Sequence, residues 1–178
     1  MNQSRTTTKQ NIEIRFYFTP RSAKKLLERW RREMWRMKPY SFVDHYFIKS
    51  RSQAKIRRWR SSHRPGTEII FVERRNGVKT EKTRSAQSFL AASKELKLLG
   101  FKPRLKILKK KAWLVSKRSM PTYAFEYVPG LGWTGEIEIP VREKGKIADR
   151  ILELKRMGAT GFTRKSMLQL MEERLKDK

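Results

Sequence analysis

The chain has 178 residues, and its 44 lysines and arginines against 17 aspartates and glutamates leave a formal charge of +27. Such length suits one domain with a real core; such charge calls for an anionic partner (polyphosphate, nucleotide, nucleic acid or anionic lipid) unless the whole proteome is basic. Without cysteine, disulfides, thiol nucleophiles and thiolate metal sites are excluded.

Residues 1–10, "MNQSRTTTKQ", are polar and are expected to form a mobile tail, leaving 11–178 as a single domain. No apolar run approaches the roughly 20 residues of a membrane span, so the expectation is a soluble, cytoplasmic protein with no membrane role, monomeric or homodimeric. "NIEIRFYF" reads as a strand. "TPRSAKKLLERWRREMWRMKPY" then changes period: Thr19 caps, Pro20 takes the first helical position, and Leu26, Leu27, Trp30, Met34 and Met37 recur at helical spacing up to Pro39. "YSFVDHYFIK", "QAKIRRWRS", "TEIIFVERR" and "GVKTEKT" follow as four strands separated by turn chemistry. "SAQSFLAASKELKLLG" is a helix with Gly100 at its stop. "PRLKILKKKAWLVS", "TYAFEYV" and "WTGEIEIPV" are further strands, the last two joined by "PGLG", and two helices over 145–158 and 163–176 complete the chain. About eight strands, mostly neighbours in sequence, favour an antiparallel α+β architecture.

Alternation carries the functional signal, because residues i and i+2 of a strand share a face. Glu13 and Arg15 share one, with Ile12, Ile14 and Phe16 opposite. Lys55 and Arg57 share another, as do Lys109 with Lys111 and Glu136 with Glu138. In an open sheet these charged faces are simply wet. In a closed barrel they line a tunnel, with the apolar faces under the helices outside. Basic walls neutralise phosphate oxygens and carboxylates hold a hard cation bridging to them, so the second arrangement suits a polyphosphate with a divalent metal.

These residues, taken in order, resemble the CYTH domain, the triphosphate tunnel metalloenzymes that include class IV adenylyl cyclases, thiamine triphosphatases and inorganic tripolyphosphatases. The family's opening Glu-x-Glu-x-Lys is matched by Asn11, Glu13 and Arg15. Its Asp-x-Tyr-Phe strand is similar to "DHYF" from Asp44 to Phe47, and its Arg-x-Arg to Lys55-Ile56-Arg57. Its Leu-Gly-Phe and Lys-x-Arg resemble "LGFKP" and Lys109 with Lys111. Its Asp-x-Val-x-Gly-Leu-Gly-x-x-x-Glu-x-Glu resembles "FEYVPGLGWTGEIEI", with Glu126 at the aspartate, and "RKSMLQLM" with Lys165 and Ser166 is similar to its closing motif. The matches span about residues 11 to 170. Asn11 stands where the family has a carboxylate, Arg15 replaces a lysine with a planar fork, and Glu73 or Arg74 falls near a basic position of the family.

The resemblance implies a closed antiparallel barrel forming a tunnel. It implies that Glu13, Glu126, Glu136 and Glu138 hold Mg²⁺ or Mn²⁺, with Glu13, Glu136 and Glu138 catalytic. Arg15, Lys55, Arg57, Lys109, Lys111 and Lys165 would then bind the triphosphate of a small molecule. Hydrolysis is the first expectation, and cyclisation of ATP to cyclic AMP the alternative. A third reading keeps the fold as a module binding RNA or another polyanion, or as an RNA 5′-triphosphatase. "RRWRSSHR" and "ERWRREMWR" interleave Arg with Trp, a pattern suited to phosphate contact with base stacking; equally, Trp30 and Met34 fall at core spacing. Only His45 and His63 are histidines, too few without cysteine for a zinc site. Ser166 with Lys165 reads as a helix start.

Overall fold

A computed structural model describes residues 6–50, 52–60, 66–117 and 122–176. Its elements are β1 (Thr7–Phe18), α1 (Pro20–Arg32), β2 (Arg36–Lys49), β3 (Ser52–Trp59), β4 (Gly66–Arg75), β5 (Val78–Ala86), α2 (Phe89–Leu98), β6 (Lys102–Ser116), β7 (Tyr123–Val128), β8 (Gly132–Pro140), a 3₁₀ turn (Val141–Lys146), α3 (Ile147–Arg156), β9 (Gly161–Thr163) and α4 (Met167–Lys176). The strands run in the order β5-β4-β3-β2-β6-β7-β8-β1, β9 adds beside β1, and pairing of β5 with β1 closes the sheet. This is the closed eight-stranded antiparallel α+β architecture that the resemblance implied. β1 begins at Thr7, so the tail expected over 1–10 gives way to strand from that residue on. Among the described residues, no helix is long and apolar enough to cross a membrane.

Contacts divide the chain into two compact units. One comprises 1–10 and 41–108, the other 11–40 and 109–178. In the second unit Ile12, Ile14 and Phe16 of β1, Phe125 of β7 and Ile137 of β8 pack with Ala23, Leu26 and Trp30 of α1 and Leu154 of α3. Burying each large apolar side chain contributes about 1.5–3 kcal/mol. The approach is close. A Cβ on Gly135 would stand 2.1 Å from Phe16 Cε2, which is why the residue paired with Phe16 across the ladder has no side chain.

Helix α1 stops earlier than its periodicity predicts. The Trp35 N–H donates to the Trp30 carbonyl (2.9 Å) and the Met34 N–H to that of Arg31 (3.2 Å). This is a Schellman stop with Met34 in the left-handed region and 87% exposed. Met34 is therefore not a core residue. Trp35 folds back onto Trp30, ring centroids 5.8 Å apart, and β2 runs straight through Pro39. Helix α2 ends the same way at Gly100, as expected, with φ +82.

In the first unit Phe47, Ala54, Ile56 and Ile69 pack with Ala92 and Leu96 of α2 and with Phe101. His45 lies at the edge of this face, its ring 4.5 Å from that of Phe89. Burial, reinforced by the charges of Lys106 and Arg58, holds its pKa below the ordinary value. His63 lies outside the described residues.

Two outcomes are expected. Gly135→Ala should cost about 1–3 kcal/mol in denaturant unfolding by overpacking, and Phe16→Leu in the same chain should recover part of that loss; strictly additive effects would show that the two positions do not collide. For His45 the unfolded chain takes up a proton more readily than the folded one. Stability should therefore fall as pH drops below the ordinary histidine value near 6.5, and the fall should shrink in His45→Asn when urea midpoints are compared across that window.

Candidate functional site

The second unit's polar face is not wet. Asn11, Glu13 and Arg15 are 5%, 2% and 5% exposed, while Ile12, Ile14 and Phe16 on the other face are as deeply covered. Strand β1 is thus enclosed on both sides over this stretch, which decides against the open-sheet alternative.

The register explains how the acids converge. Antiparallel pairing sets Glu13 opposite Glu138 and Arg15 opposite Glu136. On β7 and β8, Ala124 pairs with Glu136 and Glu126 with Thr134. Strand alternation then brings Glu13, Glu136 and Glu138 onto one face, with carboxylate oxygens all within 4.8 Å of one another. Three carboxylates at that separation repel strongly unless a cation lies among them. Arg15 supplies part of the compensation. Its Nη2 is 2.9 Å from Glu13 Oε1 and 2.5 Å from Glu136 Oε2, and its Nη1 is 3.8 Å from Glu126 Oε1.

Asn11, at the position where the family has an acid, donates from Nδ2 to Glu138 Oε2 (3.3 Å). The amide turns what would be a fourth repulsive carboxylate into a hydrogen bond that orients an existing one.

Glu126 is completely buried and stands outside the convergent trio. Lys109 Nζ donates to its Oε1 (2.8 Å) and lies 2.7 Å from Oε2, and the Tyr40 hydroxyl donates to Oε2 (2.9 Å). The expected metal set of four therefore separates into three converging ligands and one carboxylate held by a lysine and a tyrosine.

Lys109 and Lys111 do not share a face. The register between β6 and β7 shifts between Lys110 and Ala112, and Lys111 takes φ +50. This bulge leaves Lys109 buried and swings Lys111 out to solvent. Lys165 is also at the surface, 2.9 Å from Glu173. Ser166 does start α4, as expected: its Oγ accepts from the Gln169 N–H (3.2 Å) while Gln169 Oε1 accepts from the Ser166 N–H (2.8 Å).

Lys55 and Arg57 belong to the first unit and share a face with Asp44. Arg57 grips the buried Asp44 through two bonds of 2.8 Å, from Nε and from Nη2. Lys55 Nζ lies 3.5 Å from Glu81 and 3.8 Å from Asp44. Burial, then the charge of Arg57, lowers the Lys55 pKa. Lys79, 4% exposed and 3.5 Å from Glu81, joins this group and was missed by the sequence reading. Its signal was there: Lys79 and Glu81 alternate in "VKTEK" as Glu13 and Arg15 do in "IEIR". Glu73 and Arg74 are exposed. Trp59 is occupied locally, its indole N–H donating to Glu68 (2.9 Å) and its ring 5.2 Å from that of Phe42.

The donor set of Glu13, Glu136 and Glu138 fits a hard divalent cation, which takes oxygen ligands and offsets their charge. Arg15 and Lys109 meet Glu13, Glu126 and Glu136 in ion pairs on this face.

No protein-family model and no curated protein matches the chain. Solved structures do. A conserved hypothetical protein from Pyrococcus furiosus has a TM-score of 0.69 at 21% identity, covering 90% of this chain and 99% of that one. A protein from Pyrococcus horikoshii OT3 gives 0.71 at 19%, covering 90% and 98%. A candidate adenylate cyclase from Vibrio parahaemolyticus gives 0.65 at 10%, covering 94% and 98%. At these identities the likeness establishes the fold alone.

Removing the cation beside Glu126 should be costly. Lys109→Met is expected to lose about 3–5 kcal/mol in equilibrium unfolding, because a fully buried carboxylate loses its charged partner; adding Glu126→Gln should restore much of it. Equal losses from the single and double variants would show that the pair is not coupled.

Proposed function

We propose that the chain is a metal-dependent enzyme of the CYTH type that hydrolyses a triphosphate-containing substrate. The observation that carries this reading is the convergence of Glu13, Glu136 and Glu138 within 4.8 Å, beside Arg15, on an enclosed face. A structural salt bridge needs one carboxylate per cation. Three carboxylates converging on one enclosed face are the donor set that a hard divalent cation takes.

Glu13, Glu136 and Glu138 would hold Mg²⁺ or Mn²⁺. Bound there, such an ion supplies Lewis-acid polarisation of phosphoryl oxygens and offsets the charge that develops on them. The chain's own groups do the rest. Arg15 presents a planar fork suited to phosphate oxygens. Lys109, fixed against Glu126, presents a point charge. A carboxylate of Glu136 or Glu138 orients the attacking water and takes its proton as the terminal phosphorus–oxygen bond breaks. Asn11 holds Glu138 in place for that step. Lys55 and Arg57 are assigned to phosphate by the resemblance; Lys111 and Lys165, both at the surface, have only that assignment.

The cyclase reading has one observation of its own, the likeness in fold to candidate adenylate cyclases from Vibrio parahaemolyticus and Bacillus halodurans. In that reaction the ribose 3′-hydroxyl attacks the α-phosphorus and pyrophosphate leaves.

The test is product analysis with tripolyphosphate and with ATP, with Mg²⁺ or Mn²⁺ and with chelator. Orthophosphate is the expected product, lost with chelator and reduced on the order of 100-fold or more in a Glu136→Gln, Glu138→Gln double variant. Cyclic AMP with pyrophosphate would replace hydrolysis by cyclisation. Turnover indifferent to chelator would remove the metal reading.

A further inference from the structure

The triphosphate reading leaves most of the positive charge unused, and helix α1 carries much of it outward. Arg21, Lys24, Lys25, Arg29, Arg31 and Arg32 are all exposed. At 100° per residue, Arg21, Lys25, Arg29 and Arg32 fall within a sector of roughly 80°. Lys25 and Arg29 each follow the preceding cation by four residues, about 6 Å along the axis, close to the separation of successive phosphates on an extended strand. Glu28 lies about 20° outside that sector, between Lys24 and Arg21, and Glu33, 2.7 Å from Arg29 Nε, stands at the helix end.

Beside this stripe the surface opens. A cavity of about 180 Å³ lies between α1 and α3, walled by Leu26, Trp30, Trp35 and Met157 and rimmed by Arg29 and Arg156. Its acid, Glu153, is already engaged: Tyr123 donates to one oxygen (2.8 Å) and Arg150 to the other (2.9 Å). Trp35 is held by its indole N–H on Glu33 (3.1 Å), and Lys117 Nζ stands 5.6 Å from its ring centroid. The opening thus combines one accessible indole, that of Trp35 above the buried Trp30, with a basic rim and a paired acid.

We infer that this cavity and the α1 stripe bind single-stranded nucleic acid, one unpaired base entering between Trp35 and Met157 while Arg29, Arg156 and the stripe take the flanking phosphates. An accessible indole beside a cavity of this size, next to cations at phosphate spacing, fits a single strand better than a duplex, whose bases are already stacked. It also fits better than a bilayer, which would ask for apolar side chains projecting outward from α1, whereas those facing this opening point into a cavity. The site stands apart from the carboxylate cluster in its residues and does not depend on the metal reading.

The experiment uses the full chain and a short 5′-hydroxyl oligoadenylate, which has no triphosphate, with tryptophan fluorescence and anisotropy as readouts. Binding is expected with fluorescence quenching and a falling log–log salt dependence. Trp35→Leu should weaken it about 5- to 150-fold, the range for one lost base stack. Arg29→Ala with Arg156→Ala should make the salt slope shallower by about 1.4, two contacts at about 0.7 each. Glu136→Gln with Glu138→Gln should leave binding intact, whatever becomes of catalysis. Thermal melting checks that each variant is folded; because Trp35 also packs on Trp30, the arginine pair tests the site without touching the core. Equal affinity in wild type and both pocket variants would overturn the assignment. So would a duplex binding as well as the single strand, or phosphatidylserine vesicles binding through Arg29 and Arg156 while the oligoadenylate does not.

Discussion

The guanidinium of Arg15 is the contact on which the second unit's polar face depends. Antiparallel register sets Glu13 against Glu138 and Arg15 against Glu136, and closing the sheet removes the water that would otherwise screen them. Arg15 reaches Glu13 and Glu136 at salt-bridge distance, while Lys109 and Tyr40 do the same for Glu126. Buried ion pairs of this kind seldom stabilise a fold beyond what apolar packing would give in their place. Their presence on an enclosed face, opposite a well-packed apolar one, is therefore not accounted for by stability alone.

The first unit follows the same plan with the opposite sign. Its helix-facing side is apolar, packed under α2. Its other side carries Lys55, Arg57 and Lys79 against Asp44 and Glu81. Asp44 accepts two bonds from the guanidinium of Arg57, which fix the fork in one orientation. That orientation is reinforced by the ring of Phe42, 3.7 Å from the guanidinium carbon. Lys55 has no such matched partner in geometry, its nearest described oxygen being 3.5 Å away, and burial presses it toward the neutral form. An anion arriving there would reverse that pressure.

Much of this was written in the alternation. A β-strand places every second residue on one face whatever surrounds it, so "IEIRF" and "GEIEI" declare an apolar and a charged side before any partner is known. The turn between β7 and β8, the cap at Thr19 and the stop at Gly100 were equally readable, because each depends on a few adjacent residues. The bulge at Lys111 was not. "KILKKKAWL" carries no turn or glycine signal to mark it, and the extra residue appears only in the register against β7. Nor was the end of α1, since Met34 continues the helical period and is turned aside by a non-glycine Schellman stop that packs Trp35 onto Trp30. The three residues of β9 are too few to carry a period.

The sequence by itself determined which residues can face together: periodicity, caps and turns are local, and they sort the side chains into two sets per strand. What only the tertiary structure decided is which of those sets meet. Pairing of β1 with β8 made a trio of Glu13, Glu136 and Glu138 from segments more than a hundred residues apart, and set Asn11 on Glu138. The tertiary structure also set Glu126 outside that trio, brought Lys79 and Glu81 together with Lys55 of another strand, and sent Lys111 and Lys165 to the surface. Register is a property of two strands and a bulge of their mismatch, so neither can be read from one strand alone.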